Sequence, residues 1–278
     1  MPNLTSPFIV ITPVLNGAQF LSKALESVDR QNDGDWIHYI VDGGSTDGSQ
    51  EIARASARSD PRRRLIEGSD SGIYDAIFKG FDRARDHGFS DPASICLWLN
   101  ADDMLMPWAF STLRAASART RAQWITALPC FWDQEGRMSC LLPYGWYPRS
   151  FIRWGLFQEN ALGPIQQEST FFTRGLLDQL PGSSRAAIRA MKWAGDFELW
   201  RAFARIAAPV SLPLPLSGFR MHGRNASVRN KDAYDAEIAA AGAPVIGRPF
   251  GKLLRLLFRP VAITKFVIGT RRQWLRIA

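Results

Sequence analysis

The chain has 278 residues, of which 46% are hydrophobic and 12% aromatic, so it can bury a full core and is not a disordered or fibrous protein. Its formal net charge of +8 lies at one end, because eight Lys and Arg residues and no acidic residue follow Glu237. The other 26 of the 34 basic residues equal the 26 acidic ones, so the body of the chain is formally neutral. A neutral body argues against a nucleic-acid-binding protein.

The sequence carries no sign of export or of a membrane span. No charged leader precedes an apolar core and a cleavage site, and no apolar run reaches membrane-spanning length, which predicts a cytoplasmic protein. The three cysteines, Cys96, Cys130 and Cys140, lack paired metal-ligand spacing. They are therefore expected to be reduced thiols, and no zinc site is predicted.

The N-terminal part of the chain alternates between strand and helix patterns. Short apolar or β-branched runs predict strands at residues 8–12, 36–41, 64–66 and 95–99, and helical spacing predicts helices at 20–28, 49–58 and 73–85. Such βαβ units build a mostly parallel, Rossmann-like sheet flanked by helices. Four loops are therefore expected to converge on one crevice.

Beyond Pro107 the alternation weakens. Strands are predicted at residues 123–131, 138–142, 169–173 and 210–216, an aromatic region at 144–157 and a helix at 195–206. Neither an internal repeat nor a low-complexity segment occurs. We predict one α/β domain over residues 1–230 and a basic, amphipathic helical extension over residues 231–278.

Two adjacent carboxylates follow the apolar strand at residues 95–99. Asp102 and Asp103 come at its carboxyl end, where open α/β sheets bind ligands. Neighbouring like charges repel unless a cation lies between them, and Mg²⁺ and Mn²⁺ prefer carboxylate oxygens. A helix cap is the alternative, because Asp is a common N-cap residue and residues 104–116 could be helical.

Several other site classes fit the sequence poorly. The loop at residues 43–48 follows the second strand and lacks the G-x-G-x-x-G order of dinucleotide-binding proteins. It also lacks the acidic spacing and terminal Glu of an EF-hand. With three histidines, His38, His87 and His222, and no G-x-S-x-G elbow, a serine hydrolase is disfavoured.

Seven short motifs occur in order between residues 7 and 230. They are residues 11–16 (ITPVLN), 41–49 (VDGGSTDGS), 70–76 (DSGIYDA), 99–103 (LNADD), 167–172 (QESTFF), 195–200 (GDFELW) and 218–222 (GFRMH). Together they resemble the family 2 glycosyltransferases. The resemblance implies a GT-A fold, a nucleotide-diphosphate-sugar donor linked to UDP or GDP, a divalent metal, Mg²⁺ or Mn²⁺, and inversion at the anomeric carbon.

The resemblance implies a nucleotide-binding role for residues of the first three motifs. Asp42 would accept hydrogen bonds from the base in a pocket shaped by Thr12, Pro13 and Asn16, although Asp also forms turns. The remaining two nucleotide-binding positions of these motifs are Asp70 and Asp75. Both flank a turn before a helix, where a carboxylate also favours the positive end of the helix dipole.

The paired carboxylates match the metal-binding and ribose-binding positions of the family. Asp102 would serve the nucleotide and the metal, and Asp103 the metal. Asn100 stands where many relatives carry another Asp. In the last motif, Arg220 would contact diphosphate oxygens and a neutral His222 would approach the metal, whereas a surface loop is the alternative.

Inversion requires a base that accepts the proton of the attacking hydroxyl, and Asp196 matches that position in the family. Gly195 stands where relatives often place another acid. Glu198 is the nearest competitor, although its position along a helix points it to another face, and a helix cap is the alternative for Asp196. Gln167 and Glu168 would line the acceptor or sugar side.

The C-terminal extension interleaves cations with apolar residues. Its positions are Arg248, Lys252, Arg255, Arg259, Lys265, Arg271, Arg272 and Arg276, with Leu, Phe and Trp between them and a break near Pro260. Such segments lie in membrane interfaces, and each cation near an anionic leaflet contributes about 1 kcal/mol. Packing against the domain and self-association are the alternatives.

These observations predict an inverting, metal-dependent glycosyltransferase that acts on a glycan or lipid-linked acceptor in bacterial cell-surface polysaccharide biosynthesis. It would lie in the cytoplasm, peripheral to the inner face of the plasma membrane. A non-catalytic, membrane-bound sugar-binding scaffold with the same fold is a second hypothesis. A metal-dependent sugar nucleotidyltransferase, which also uses paired carboxylates, is a third.

Overall fold

The computed structural model describes residues 6–142, 146–225 and 229–258. These residues divide into two compact units. The first comprises the described residues of Met1–Gln123 and Phe171–Gln179, and the second those of Trp124–Thr170 and Leu180–Ala278. No helix within the three described ranges is both long and apolar enough to span a bilayer.

The secondary structure is mixed throughout the chain. The strands are β1 Phe8–Val14, β2 Trp36–Asp42, β3 Arg63–Glu67, β4 Ile95–Trp98, β5 Met104–Leu105, β6 Trp124–Thr126, β7 Cys130–Trp132, β8 Met138–Leu141, β9 Thr170–Thr173, β10 Val210–Ser211 and β11 Ser217–Arg220. The helices are α1 Ala18–Asp29, α2 Ser49–Ser59, α3 Ile73–Asp86, α4 Ala109–Thr120, α5 Arg149–Arg153, α6 Arg174–Asp178, α7 Gly182–Ala190, α8 Gly195–Ile206, α9 Lys231–Ala240 and α10 Arg248–Leu257.

The sheet of the first unit has the strand order β9-β4-β1-β2-β3. Strand β1 lies at its centre and pairs in parallel with β2, as far as Val14 with Asp42, and with β4, as far as Ile11 with Trp98. Strands β2 and β3 are also parallel, whereas β9 runs antiparallel to β4. The predicted, mostly parallel sheet flanked by helices is therefore confirmed.

Strand β1 continues past Pro13, where the sequence predicts that it ends. Leu99, after β4, donates its backbone N–H to the carbonyl of Ile11, so the backbone polar groups of Ile11 face β4. Pro13 lies two residues further along β1, so its backbone nitrogen faces the same side. The β1–β4 pairing has ended there, and the missing proline N–H costs no ladder bond. A locally unpaired side of the strand accommodates the proline.

The core of the first unit follows from its apolar runs. Every residue of β1 and β2 is buried, as expected for parallel strands covered on both faces. Helix α3 lies against β1 so closely that a Cβ on Gly80 would lie 2.6 Å from Cγ2 of Ile11. The free thiols of Cys96 and Cys130 are buried and that of Cys140 is half-buried, as predicted for reduced cysteines.

The second unit contains short strands and the long helix α8. Strand β10 pairs in parallel with β6, β11 in parallel with β7, and β8 antiparallel with β7. The indole of Trp200 on α8 stacks on that of Trp124, with ring centroids 5.8 Å apart. Helix α8 has the bounds that its apolar spacing predicts.

Three predicted elements differ from the structure. The strand predicted at 123–131 is divided into β6 and β7, which flank Pro129. The strand predicted at 210–216 ends at Ser211, although Leu212 still donates its backbone N–H to the Thr126 carbonyl at 2.8 Å. Residues 104–116 are not one helix. They form β5 and then α4, separated by a turn that contains Pro107.

The structure describes only part of the predicted extension. Residues 231–258 contain α9 and α10. Residues 259–278, with five of the eight cations and the predicted break at Pro260, lie outside the described residues, as does Tyr144 in the aromatic region. The division at residue 230 stays a prediction.

Replacing Gly80 with Ala should destabilise the protein. The helix propensity gained is about 1 kcal/mol, whereas overpacking against the buried Ile11 costs about 1–3 kcal/mol. We expect the free energy of unfolding in urea to fall. Gly182 on α7 is the matched control, because nothing lies within 4 Å of its added Cβ. An Ala at residue 80 that stabilises as much as one at 182 would contradict the close approach.

Candidate active site

The loops after β1 and β2 are tied together by side chains of the second loop. Ser45 Oγ accepts the backbone N–H of Asn16 at 2.9 Å, and the Asn16 Oδ1 accepts the backbone N–H of Thr46 at 2.9 Å. Asn16 has a φ of 55°, a left-handed conformation that Asn tolerates better than most residues. These hydrogen bonds hold Asn16 at the carboxyl edge of the sheet.

Asp47 and Ser49 complete this connection, and sequence analysis did not single them out. Asp47 Oδ2 accepts the backbone N–H of Ala18 at 3.0 Å, and Ser49 Oγ accepts that of Gly17 at 2.9 Å. Both therefore bind the start of α1, whose first N–H groups lack partners within the helix. The Asp and Ser composition of the loop was the available signal.

Asp42 ends β2 and is fully buried. Its Oδ1 accepts hydrogen bonds from the backbone of Gly44 and Ser45 and from Gln50 Nε2, at 2.9–3.0 Å. Its Oδ2 is buried without a hydrogen-bond partner among the described residues. Burial raises the pKa of this carboxyl, but the hydrogen bonds from Ser45, Gln50 and Gly44 outweigh burial and lower it overall. One ionised oxygen therefore shapes the turn, and the other can accept a ligand donor.

Asp70 and Asp75 have different environments. A Cβ on Gly43 would lie 2.5 Å from Asp70 Oδ2, so a larger residue at position 43 would displace that carboxylate. Asp75 is buried, accepts the backbone N–H of Ser71 at 2.9 Å and forms an ion pair with Lys79 at 3.1 Å. Asp70 thus lies against Gly43, the residue after Asp42, whereas Asp75 braces the turn before α3.

Thr12 and Pro13 contribute to the buried floor of the site. Thr12 Oγ1 lies 2.8 Å from Nε2 of His38, which is completely buried. Burial, reinforced by the positive charge of Arg63, holds the pKa of His38 well below its ordinary value, so the imidazole is neutral. The Nδ1 of His38 has no hydrogen-bond partner in the described ranges.

The paired carboxylates follow β4 at the same edge of the sheet. Asp103 is completely buried, whereas Asp102 is half-buried. Asn100 Nδ2 donates to Asp103 Oδ2 at 3.0 Å, and the Asp103 N–H donates to the Asn100 carbonyl at 3.1 Å. Asn100 thus supplies a donor where a third carboxylate would repel Asp103.

A close backbone approach joins this segment to the β1–α1 loop. A Cβ on Gly17 would lie 2.9 Å from the Cβ of Ala101, so a larger residue at position 17 would press on the loop that carries Asp102. The loops after β1, β2, β3 and β4 therefore meet at one edge. The four loops thus meet as predicted, whereas the crevice between them stays a prediction.

The carboxylates at this edge have the donor chemistry of a divalent-cation site. Carboxylate and amide oxygens are hard donors, and Asp102 is half-buried at the edge. No group of three or more His, Cys, Asp or Glu side chains within the described part of the chain could hold a metal ion. Such an ion would complete its ligand shell with phosphates and water, as Mg²⁺ commonly does.

In the second unit, Asp196 lies in the first turn of α8 and is contacted by α9. The Tyr234 hydroxyl donates to the Asp196 carboxylate. Burial, and secondarily the charge of Asp196, hold the pKa of Tyr234 well above its ordinary value, so the hydroxyl stays a donor. Glu198, the competitor for the base, forms an ion pair with Arg201 at 2.7 Å.

Glu237 on α9 fixes the segment that precedes Asp196. Its carboxylate accepts the backbone N–H groups of Lys192, Trp193 and Ala194 at 2.8–2.9 Å. These contacts lie far apart in sequence, 45 residues for Lys192, so no local pattern predicts them. Helix α9 therefore positions the start of α8.

Three other predicted site residues of this unit are buried. Gln167 and Glu168 are exposed to 8% and 7%. Arg220 lies on β11, is completely buried and donates through Nη1 to the carbonyl of Gln134 at 3.0 Å. Their proposed contacts with sugar, acceptor and diphosphate stay predictions.

His222 is held by Asn225, which sequence analysis did not single out. Asn225 Oδ1 accepts the His222 N–H at 3.0 Å, while Asn225 Nδ2 donates to the Arg220 carbonyl at 2.7 Å and lies 3.0 Å from His222 Nε2. Asn225 thus lies against Nε2, while Nδ1 accepts the backbone N–H of Arg224 at 3.3 Å. A metal contact through Nε2 would require Asn225 to turn away.

Solved structures with the same architecture place the chain in the GT-A fold class. S. aureus TarS 1–349 in complex with UDP-GlcNAc matches with a TM-score of 0.57 and 13% identity, covering 91% of this chain and 71% of that one. Mannosyltransferase PcManGT from Pyrobaculum calidifontis, in complex with GDP-Man and Mn²⁺, matches with a TM-score of 0.52 and 19% identity, covering 91% and 69%. At these identities the likeness shows the fold alone.

The family described as glycosyl transferase family 2 matches residues 9–161, which is more than half of the chain. The chain belongs to this family.

Two curated relatives share a shorter segment. They are both named PGL/p-HBAD biosynthesis glycosyltransferase, from Mycobacterium bovis (strain BCG / Pasteur 1173P2) and Mycobacterium tuberculosis (strain ATCC 25177 / H37Ra), and are 39% identical over 99 residues. The match covers 35% of this chain and 36% of each relative, about a third of their length.

The protein should lose stability as the pH falls below about 6.5, the ordinary pKa of His38. Below that pH, His38 binds a proton in the unfolded chain but not in the folded chain. The free energy of unfolding therefore falls by up to about 1.4 kcal/mol per pH unit for this group. Urea unfolding at a series of pH values measures the slope. His38→Gln should flatten it, whereas equal slopes in both proteins would show that His38 is not held neutral.

Proposed function

We propose that the chain transfers a sugar from a UDP- or GDP-linked donor to a glycan or lipid-linked acceptor, with inversion at the anomeric carbon. One observation carries the proposal: Asp102 and Asp103 follow β4 at the sheet edge where Asp42 holds a carboxylate oxygen without a hydrogen-bond partner in the described residues. A nucleotide-diphosphate sugar needs hydrogen-bond acceptors for its base and charge compensation for its diphosphate. This edge can supply both.

The donor nucleotide would bind along β1 and β2. The buried Asp42 Oδ2 accepts an N–H of the base, while its other oxygen keeps the turn fixed by three hydrogen bonds. Because these hydrogen bonds keep Asp42 ionised, the acceptor is available without a change of protonation. Thr12, Pro13, Asn16 and Asp70 shape the surrounding pocket.

Asp102 and Asp103 would hold Mg²⁺ or Mn²⁺ together with the donor phosphates. The ion, when bound, stabilises the negative charge that develops on the departing diphosphate. The mannosyltransferase among the similar structures contains GDP-Man and Mn²⁺, which supports this assignment. The hydrogen bond from Asn100 keeps one oxygen of Asp103 oriented while Asp102 faces the ligand.

Asp196 would take the proton of the attacking acceptor hydroxyl. Its position in the first turn of α8 is fixed by Tyr234 and by the contacts of Glu237. A general base must be held within hydrogen-bond reach of the proton that it removes. Gln167, Glu168, Arg220 and His222 are proposed to serve the acceptor and the diphosphate, after rearrangement of their present contacts.

The biological setting is proposed to be bacterial cell-surface glycan synthesis. The curated relatives are named for PGL/p-HBAD biosynthesis, which supports this setting. The scaffold hypothesis predicts no turnover. A nucleotidyltransferase would release pyrophosphate, whereas a glycosyltransferase releases a nucleoside diphosphate.

Replacing Asp102 or Asp103 with Asn should lower Mn²⁺-dependent donor hydrolysis at least about hundredfold, because charge stabilisation at the leaving group is lost. A panel of UDP- and GDP-sugars, with detection of the released nucleotide, measures it. Asp86→Asn, a surface change at the end of α3, is the control. Because Asp103 is buried, the half-buried Asp102 decides the matter if D103N misfolds. Undiminished hydrolysis in folded D102N would refute the assignment.

Asp196→Asn should lower the rate of transfer by about 10²–10⁴-fold, while donor binding is unchanged, because only proton removal is lost. Steady-state kinetics of sugar transfer to an acceptor measure the rate. Normal transfer by a folded, donor-binding D196N protein would show that another group is the base.

Tyr234→Phe should lower kcat by about tenfold with KM for the donor unchanged, because the hydroxyl that orients the base is absent. The same steady-state kinetics measure both constants.

A further inference from the structure

Helix α10 is attached to the second unit by one face. A Cβ on Gly251 would overlap the carbonyl oxygen of Asn160, so the helix backbone contacts that segment directly. Leu254 is 9% exposed, and the Arg255 guanidinium donates to the carbonyls of Glu159 and Ala161. These residues define the inner face of α10.

The opposite face of the helix is apolar and exposed. Phe250, Leu253, Leu256 and Leu257 are exposed to 56%, 47%, 70% and 64%, and their spacing places them on one side of a helix. We call these four residues the outer face. A surface helix normally turns its apolar side inwards. Here the reverse holds, and contiguous exposed apolar side chains mark an interaction surface.

Aromatic residues extend the apolar surface beyond the helix. Phe258, the residue after α10, packs edge-on against Phe151, with ring centroids 5.0 Å apart. Phe151 in turn stacks on Trp154 at 5.9 Å, and Trp154 is 60% exposed. Trp is favoured at membrane interfaces because its ring is amphipathic.

The charges near the outer face are positive. Lys252 on α10 and Arg153 beside Trp154 are exposed. The nearby acidic residue Glu159 forms an ion pair with Lys231 at 3.1 Å. The sequence from residue 238 to the end contains eight cations and no Asp or Glu.

We propose that the outer face of α10 docks into the interface of an anionic lipid bilayer, with the neighbouring cations at the headgroups. A second copy of the chain would bring the same cations together across a two-fold interface, where they repel. The residues after 258 also carry only positive charges, so they repel the same rim. An anionic bilayer supplies both the apolar environment and the opposite charge.

The test is flotation of the full chain with vesicles of phosphatidylcholine, with and without phosphatidylglycerol. The protein should float with the anionic vesicles and much less with the neutral ones, because each cation contributes about fivefold to partitioning. Salt should weaken the binding. The triple variant Leu253→Gln, Leu256→Gln, Leu257→Gln should bind at least about hundredfold more weakly, because three apolar anchors are lost.

Trp108→Gln is the matched control, because Trp108 is 39% exposed and lies in the other unit. It should bind vesicles like the unaltered protein, and equal thermal midpoints would show that all variants fold. Three outcomes overturn the proposal. The unaltered protein floats no better with anionic than with neutral vesicles, or the triple variant floats as well as the unaltered protein. In the third, the triple substitution leaves vesicle binding intact and instead abolishes a dimer that forms without lipid.

Vesicle binding is measured without nucleotide sugar, so it does not rest on the proposed function. The triple variant should hydrolyse a soluble nucleotide-sugar donor at the unaltered rate, because the outer face contains none of the residues assigned to the site. An inactive protein that binds vesicles would refute the proposed activity alone. An active protein that ignores vesicles would refute the docking face alone.

Discussion

Carboxylates gathered at one edge of a parallel sheet repel one another, and each needs its own compensation before the edge is stable. Hydrogen-bond donors compensate Asp42, the ammonium of Lys79 compensates Asp75, and Asn100 donates to Asp103. Asp102 remains half-buried at that edge. The edge therefore contains carboxylates that stabilise the fold beside those proposed to meet a ligand. Under the proposed function, an anionic donor would bind this acidic edge together with a cation.

The same division of roles occurs around Asp196. Helix α9 contributes no residue that takes part in the proposed reaction. Its Tyr234 contacts the Asp196 carboxylate, and its Glu237 accepts backbone N–H groups of the segment before Asp196. An apolar cluster of Ala194, Phe197, Ile238 and Ala243 holds the two helices together. Since a misplaced base loses much of its effect, this packing is part of the proposed catalysis rather than only of stability. The segment after residue 230 thereby supports the proposed site directly.

The sequence predicts best those features that local physics determines. Buried parallel strands need continuous apolar runs, so β1 to β4 and the edge they form are predictable, and the spacing of Phe197, Trp200 and Phe203 predicts α8 with its bounds. Pro13 shows a limit of such prediction, because a missing N–H matters only where a neighbouring strand lies, which sequence alone does not reveal. Contacts between distant residues, such as Asn225 with His222 and Glu237 with Ala194, carry no local pattern.

Helix α10 shows why amphipathic spacing predicts a face but not its direction. Apolar positions 250, 253 and 257 would equally suit a core. The direction is decided by residue 251, because a glycine there permits backbone contact with Asn160, and by Arg255, whose donors satisfy the carbonyls of Glu159 and Ala161. Polar anchoring on the inner side leaves no room for the leucines to turn inwards. Exposure of these leucines to water is unfavourable, so the inner contacts of the helix must outweigh that cost. An apolar surface outside the chain would bury the leucines and stabilise the helix further in this orientation.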